Sequence, residues 1–350
     1  MEFGMFHEFP CTTGISHAQA FDQSFEQVDA AERWGLDVMW LAELHAAPTR
    51  SVLAAPLTIA AAIAARTRRM KIGTAVQVLP LCHPLRLAEE AATVDQISRG
   101  RLIFGVGRSG FPRTYEAYGI PYAESQERFA ETLDIIKEAW RQPSLSYKGK
   151  YYSFDNVPLT PKPYTSEGPE IRIAINSPDS FPAAGGQGYP IFAAVRLGTL
   201  SELGPNLRAY REAWRAAGHP GEGKVFLRLP LYLAETREQA RAEPEQSIMH
   251  FYRWLGDQLE ASAAKSGARA IEDRAVRGQR LQNITYDEAL RDKVVVGTPD
   301  MVIDRLYGLR DELGLDGILA EMNCGSLVPH ERVMNSLRLL CDKVMPRFAT

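Results

Sequence analysis

The chain has 350 residues, 45% of them apolar and 24% charged, with a formal net charge of −3. That profile describes a soluble globular protein with a large core, and the length, generous for one ordinary domain, is usual for an α/β barrel. A near-neutral balance excludes the clustered basic surface that a nucleic-acid or anionic-membrane partner requires. The four cysteines, Cys11, Cys82, Cys324 and Cys341, form no CxxC and no ligand-like spacing. Disulfide and zinc readings therefore fail, and a reducing cytoplasm is the expected compartment. The chain opens on Glu2 and a strand-like run instead of a basic, apolar leader. The alanine-rich stretch Val52–Ala65, interrupted by Pro56 and Thr58, is too short to span a bilayer.

Taken in chain order, short apolar runs alternate with amphipathic stretches. Glu2–Phe6 reads as a strand. Ser16 and Gln19 form a capping box, after which Phe21, Phe25 and Val28 recur at helical spacing up to Gly35. Asp37–Leu41 is a second strand, Leu53–Arg66 a second helix and Met70–Val76 a third strand. Pro84 opens a third helix that stops at Gly100. Leu102–Val106 is the fourth strand, the chain is expected to stay irregular from Pro112 to about Tyr122, and Glu124–Trp140 is the fourth helix. Tyr147–Lys162 reads as an inserted hairpin turning on Lys148 and Gly149. Ile171–Ile175, Ile191–Val195 and Val225–Leu233 supply three more strands, with helical stretches between them. Pro299 starts a helix carrying Val302, Leu306, Leu309 and Leu313. Gly317–Glu321 is the last strand, and Pro329 begins a closing helix with Val333, Leu337, Leu340 and Val344 on one stripe.

Repeated strand-then-helix units imply a parallel sheet, and eight of them favour a closed (β/α)₈ TIM barrel, whose site lies where strands end and loops begin. No linker divides the chain, so residues 1–350 are expected to form one domain. Residues 256–293 are the one long charge-dense stretch between the seventh and eighth strands. They carry Arg269, Arg274, Arg277, Arg280 and Arg291 among Glu260, Glu272, Asp273, Asp287 and Glu288, with few large apolar groups. Such a segment is expected to bury little, to contain local helix around Ala270–Gln279, and to serve either as a mobile lid or as a solvated insertion.

Three places carry candidate chemistry. Gly105-Val106-Gly107-Arg108-Ser109-Gly110 matches GxGxxG, but a dinucleotide fingerprint needs a helix starting at these glycines, and Pro112 follows almost at once. What survives is a glycine-rich strand end whose amides and Arg108 suit a phosphate. Asn176-Ser177-Pro178-Asp179-Ser180 follows the fifth strand. It reads either as ordinary N-capping or as an anion site built on a helix N-terminus with two hydroxyls. Glu43 and His45, two apart beyond the second strand, read as a salt-linked loop pair or as an acid/base or cofactor contact at the barrel mouth. His83 precedes Pro84 and reads as a helix-entry residue. The sequence has no HxH on the first strand, no HExxH and no GxSxG, so metal hydrolase and serine hydrolase readings lack support.

Six stretches, in the same order and at similar spacings from end to end, resemble one family: MEFGMF (Met1–Phe6), GLDVMWLAE (Gly35–Glu43), IGTAVQVLPLCHP (Ile72–Pro84), DQISRGRLIFG (Asp95–Gly105), VGTP (Val296–Pro299) and VMP (Val344–Pro346). Nearly the whole chain is similar to the luciferase-like flavin-dependent monooxygenases, the superfamily of the bacterial luciferase α subunit. The resemblance implies a barrel that binds FMN, in reduced form delivered by a separate flavin reductase, and that uses dioxygen to oxidise a small organic substrate. It places the flavin phosphate near Arg108, Gly110, Asn176, Ser177 and Ser180. It places a non-proline cis peptide beside the flavin ring at Ala75–Val76, makes Glu43 a cofactor contact, and makes His45 the candidate proton donor.

The chain also departs from that pattern. Asn176 stands where the luciferase has a glutamate, and Ser125-Gln126 where it has a helix-entry arginine, with Arg128 as the candidate substitute. Leu44 replaces the first of the luciferase's paired histidines, which argues against light emission from a long-chain aldehyde. Gly107 replaces its reactive cysteine and is expected to leave room near the flavin. The alanines of the second helix, with helix Leu85–Ser98, suggest a homodimer. Hydroxylation and oxygen insertion beside a carbonyl both stay open. So do hydride transfer with a deazaflavin and a non-catalytic flavin-binding role.

Overall fold

The computed structural model describes residues 1–195, 198–263 and 271–349, with backbone alone for 271–273. Eight parallel strands close on themselves: β1 (Glu2–His7), β2 (Val38–Leu41), β3 (Lys71–Thr74), β4 (Leu102–Gly107), β5 (Glu170–Ala174), β6 (Ile191–Ala194), β7 (Val225–Leu233) and β8 (Gly317–Glu321). Each pairs with its sequence neighbour, and β8 returns to β1 in the register Glu2 to Gly317 and Met5 to Ala320. The expected (β/α)₈ barrel is therefore the fold. β3 stops at Thr74 instead of Val76, and the chain resumes as the short strand Gln77–Val78 beside Val106 and Gly107.

Glycine and tryptophan set the packing inside the barrel. A Cβ at Gly4 would lie 2.3 Å from Trp40 Nε1, and one at Gly73 would lie 2.1 Å from Trp40 Cζ3. The two glycines thus make the space that the fully buried indole fills. Below it sits Arg172, 3.6 Å from the Phe226 ring centre and paired with Glu2 at 2.7 Å and Glu170 at 3.0 Å. A buried guanidinium satisfied in this way closes the N-terminal end of the barrel. The opposite end is left for a site.

Around the barrel, most helices begin where the residues say they should. Ser16 Oγ accepts from Gln19 N at 3.2 Å, Gln19 Oε1 accepts from Ser16 N at 2.8 Å, and the helix His17–Trp34 ends on Gly35 at φ 88°. The second helix starts at Pro56, not Leu53, because proline pushes the preceding Ala55 out of the helical region, to φ −127° and ψ 76°. Pro112 starts a short helix to Ala117 where irregular chain was expected. The hairpin pairs Leu145–Lys148 with Ser153–Val157, and its turn is held from below by Glu131, which accepts from the amides of Lys150, Tyr151 and Tyr152. His83 packs edge-on against Tyr152 and Phe154 of that hairpin.

Residues 256–293 bury more than their composition suggests. Helices Glu245–Ala263 and Ile271–Gln282 cross where Gly256 meets Gly278: a Cβ on Gly256 would lie 2.8 Å from Gly278 O. This close approach lets Leu255, Leu259 and Leu281 join Phe251, Tyr252 and Tyr286 in a second apolar cluster. Arg269 lies outside the described residues, as do the side chains of Glu272 and Asp273. No described helix is long and apolar enough to cross a membrane.

One buried histidine ties the barrel to its outer helices. His7 Nδ1 accepts from Phe9 N at 2.9 Å, so its Nε2–H donates to Gln27 Oε1 at 3.0 Å, and Gln27 Nε2 in turn donates to His330 Nδ1 at 3.0 Å. Burial lowers the His7 pKa from 6.5 to about 4, against smaller opposing contributions from Gln27 and Glu8. The unfolded chain takes up this proton near pH 6.5 and the folded chain only near pH 4, so stability is lost as pH falls through that window. The expected loss is about 3 kcal/mol. Urea denaturation at several pH values should show it, and a His7→Asn variant should be less stable at pH 7 yet lose less on acidification. Equal pH slopes for both proteins would contradict the assignment.

Candidate functional site at the C-terminal mouth of the barrel

A cavity of about 1210 Å³ opens at the C-terminal ends of the strands. Its wall is built in four parts, two of which the sequence reading singled out as anion sites and one as a possible acid/base pair.

The first part follows β2 and β3. Glu43 is buried and fully engaged: Oε1 accepts from His45 Nε2 at 2.8 Å, and Oε2 from Gln77 Nε2 at 2.6 Å and Val78 N at 2.8 Å. Burial pushes its carboxyl above the usual range, while the bonds from His45 and Val78 act in the opposite direction. With Glu43 as carboxylate, His45 carries its proton on Nε2, and Nδ1 accepts from Tyr118 OH at 3.0 Å. The result is a chain of donors running from a half-exposed tyrosine, through an imidazole in the cavity wall, to a buried carboxylate. Glu43 and His45 are thus both a linked pair and a feature of the barrel mouth. Beside them the Ala75–Val76 peptide is cis, as the resemblance implied.

The glycines of β4 answer to this wall. A Cβ on Gly105 would lie 1.8 Å from Thr74 O, and one on Gly107 would lie 2.5 Å from Val76 Cγ2. Gly107 therefore leaves no open room: Val76 fills it. The GxG spacing serves the close approach of β3 to β4, and no helix starts at these glycines.

The second part is the end of β4. Arg108 lines the cavity, donates to Ser125 Oγ at 2.9 Å, and stands 6.0 Å from the Tyr122 ring centre. Gly110 O accepts from Arg274 Nη1 at 3.2 Å, which brings the helix Ile271–Gln282 over the mouth. Arg277 of that helix lines the cavity as well. Arg128 is turned away from the cavity lining: it pairs with Glu124 at 2.8 Å and stacks on Tyr151 at 4.2 Å.

The third part is the turn from Asn176 to Ser180, all of which lines the cavity. Ser180 N and Oγ both donate to Ser177 O, Phe181 N donates to Pro178 O, and Pro182 has no N–H to give. The helix Ser180–Gln187 thus has its first donors engaged, and what the turn offers an anion is the Asn176 amide and the Ser177 hydroxyl.

The fourth part, the inner end, escaped the sequence reading. Here Glu8, Arg50 and Arg228 face the cavity beside Phe251 and Trp254. The signal was present: Arg228 interrupts the apolar run of β7 and Glu321 ends that of β8, and charges in buried strands demand partners.

These residues fit a flavin. The cavity exceeds the size usual for one small ligand, which leaves space for a cofactor and a substrate together. Arg108, Asn176 and Ser177 are suitable phosphate donors, and the Ala75–Val76 wall is apolar.

The comparison with known proteins gives the class. The chain belongs to the luciferase-like monooxygenases, whose family profile matches residues 1–317. It is a flavin-dependent monooxygenase. It is 26% identical to the oxygenase component of the flavin-dependent trigonelline monooxygenase of Acinetobacter baylyi, over 100% of this chain and 96% of that one. It superposes on the monooxygenase RslO1 of Streptomyces bottropensis with a TM-score of 0.81 and 27% identity, over the whole of both chains. The oxygenating constituent of 3,6-diketocamphane monooxygenase from Pseudomonas putida, solved with FMN, shares the fold at a TM-score of 0.82, with 22% identity, covering 99% of this chain and 98% of that one.

Proposed function

We propose that this chain is the oxygenase of a two-component system: it takes reduced FMN from a separate flavin reductase and uses dioxygen to oxidise a small organic substrate. The observation that carries the reading is Arg108, a cation lining the same cavity as the turn that offers Asn176 and Ser177. FMN has a phosphate for that set and riboflavin has none. Bound reduced flavin supplies the two electrons that activate dioxygen. The chain supplies the rest. Arg108, Asn176 and Ser177 hold the phosphate, with Gly110 and Ser180 lining the same wall, and Ala75 and Val76 back the ring. Glu43 fixes the His45 tautomer by accepting from Nε2, so that Nδ1 is the basic nitrogen and takes up a proton on the side of the Tyr118 hydroxyl. Phe251, Trp254 and Leu255 exclude water from the inner end.

In this reading residues 256–293 act as the lid. Arg274 ties the lid to Gly110 O at 3.2 Å and to Tyr122 OH at 3.3 Å, and binds Ser262 Oγ within the lid at 3.1 Å. A segment tied to the mouth by a few polar bonds that are exposed or only partly buried opens at a lower free energy than the barrel itself.

Two measurements check this account. Arg108→Ala should weaken FMN while leaving riboflavin nearly unchanged, by roughly 1.5–3 kcal/mol, the worth of a charge-assisted bond. Equal losses for both ligands would make Arg108 structural. Limited trypsin digestion should begin within residues 256–293 and slow when FMN is added. A segment as resistant as the barrel, or one indifferent to FMN, would remove the lid.

A further inference from the structure

The inner end of the cavity holds two arginines in an unusual state of half-use. Arg50 donates Nε to Glu8 Oε2 at 2.8 Å and Nη2 to Glu8 Oε1 at 2.6 Å. Arg228 donates Nε and Nη2 to Glu321 Oε2 at 3.1 and 2.9 Å, and its Nη2 also lies 3.5 Å from Glu8 Oε1. The two guanidiniums therefore sit side by side on one shared carboxylate oxygen. Each also has a face covered by an aromatic ring: Arg50 lies 4.1 Å from the Trp254 ring centre, and Arg228 lies 3.5 Å from that of Phe6. One edge of each fork is fixed by a glutamate and one face by a ring, so both are held rigidly. Nη1 of each has no hydrogen-bond partner among the described residues, and both side chains line the cavity.

We propose that Arg50 and Arg228 form a subsite for a carboxylate on the substrate, whose two oxygens take the two unused Nη1 groups. The inference rests on the reading of this cavity as the active site and adds the substrate's chemical class to it. The glutamates do not compete for the role. Both Glu8 oxygens already accept from Arg50, and Glu321 lies behind Arg228 outside the cavity lining. Burial works against the charge on Arg50, but Glu8, with a smaller contribution from Glu321, outweighs it and keeps the group cationic. A carboxylate arriving here meets donors whose orientation is already set and whose guanidinium faces lie against the Trp254 and Phe6 rings. Such contacts gain affinity because little ordering remains to be done on binding.

The test compares benzoate with benzamide, two probes of nearly equal shape that differ in charge. FMN binding is titrated first. Each probe is then titrated by calorimetry into the full-length protein saturated with FMN, or into the cofactor-free protein should FMN fail to bind. That second outcome would sink the FMN reading while leaving the subsite still decided by the probes. Benzoate should bind at least tenfold more tightly than benzamide. The paired neutral variant Arg228→Gln with Glu321→Gln avoids stranding a buried charge, and in it the preference should fall to near parity while benzamide affinity is kept. Arg50→Lys, which keeps the charge and loses the fork, should lower the preference in the same direction. Equal binding of the two probes by the wild type, or a benzoate preference that survives in the paired variant, would overturn the proposal.

Discussion

Strand β1 pairs with β8 through Glu2–Met5 and Gly317–Ala320, and that single ladder turns an open sheet into a barrel. It joins the two ends of the chain, and so directs all eight strands toward one mouth. Closure depends on the interior being filled. Trp40 fills it because Gly4 and Gly73 have no side chains, and Arg172 lies against Phe226 because Glu2 and Glu170 neutralise it. The N-terminal end is thus solid. Loops at the other end are free to carry chemistry without breaking the core.

At the mouth, buried charge decides which side chains are fixed and which remain available. Glu43 is held by Gln77, Val78 N–H and His45, which leaves His45 in one tautomer with Tyr118 as its outward link. Glu8 and Glu321 occupy one edge of Arg50 and Arg228 and leave another. In both clusters a carboxylate orients a cationic or neutral donor that faces the cavity. An unpaired charge in such a place would cost several kcal/mol, so the partners on the far side are as necessary as the groups in contact with ligand.

Local pattern revealed much of this in advance. All eight strands lie where apolar runs placed them, and Ser16 and Gln19 cap the first helix as their spacing required. Glu43 and His45 meet because they are two residues apart on one strand end. What stayed hidden is non-local. Arg50 and Glu8 are 42 residues apart, Arg228 and Glu321 are 93 apart, and Arg274 reaches Gly110 across 164 residues. No periodicity encodes such pairs. The charge-rich stretch after residue 256 misled in another way. Its composition is polar, yet Gly256 and Gly278 let two helices approach closely enough to bury Leu255, Leu259 and Leu281. Gly107 misled too, since the space it vacates belongs to Val76.

On the proposed reading, this cavity couples a reduced flavin and dioxygen to oxidation of an organic molecule. The most direct measurement supplies the protein with chemically reduced FMN, ¹⁸O₂ and a panel of small organic acids and their neutral analogues, and weighs the products by mass spectrometry. One atom of ¹⁸O should enter the product of at least one acid, and that incorporation should be lost when riboflavin replaces FMN at limiting concentration. Substrate oxidised without gain of ¹⁸O, or oxidised equally well under nitrogen, would contradict that reading.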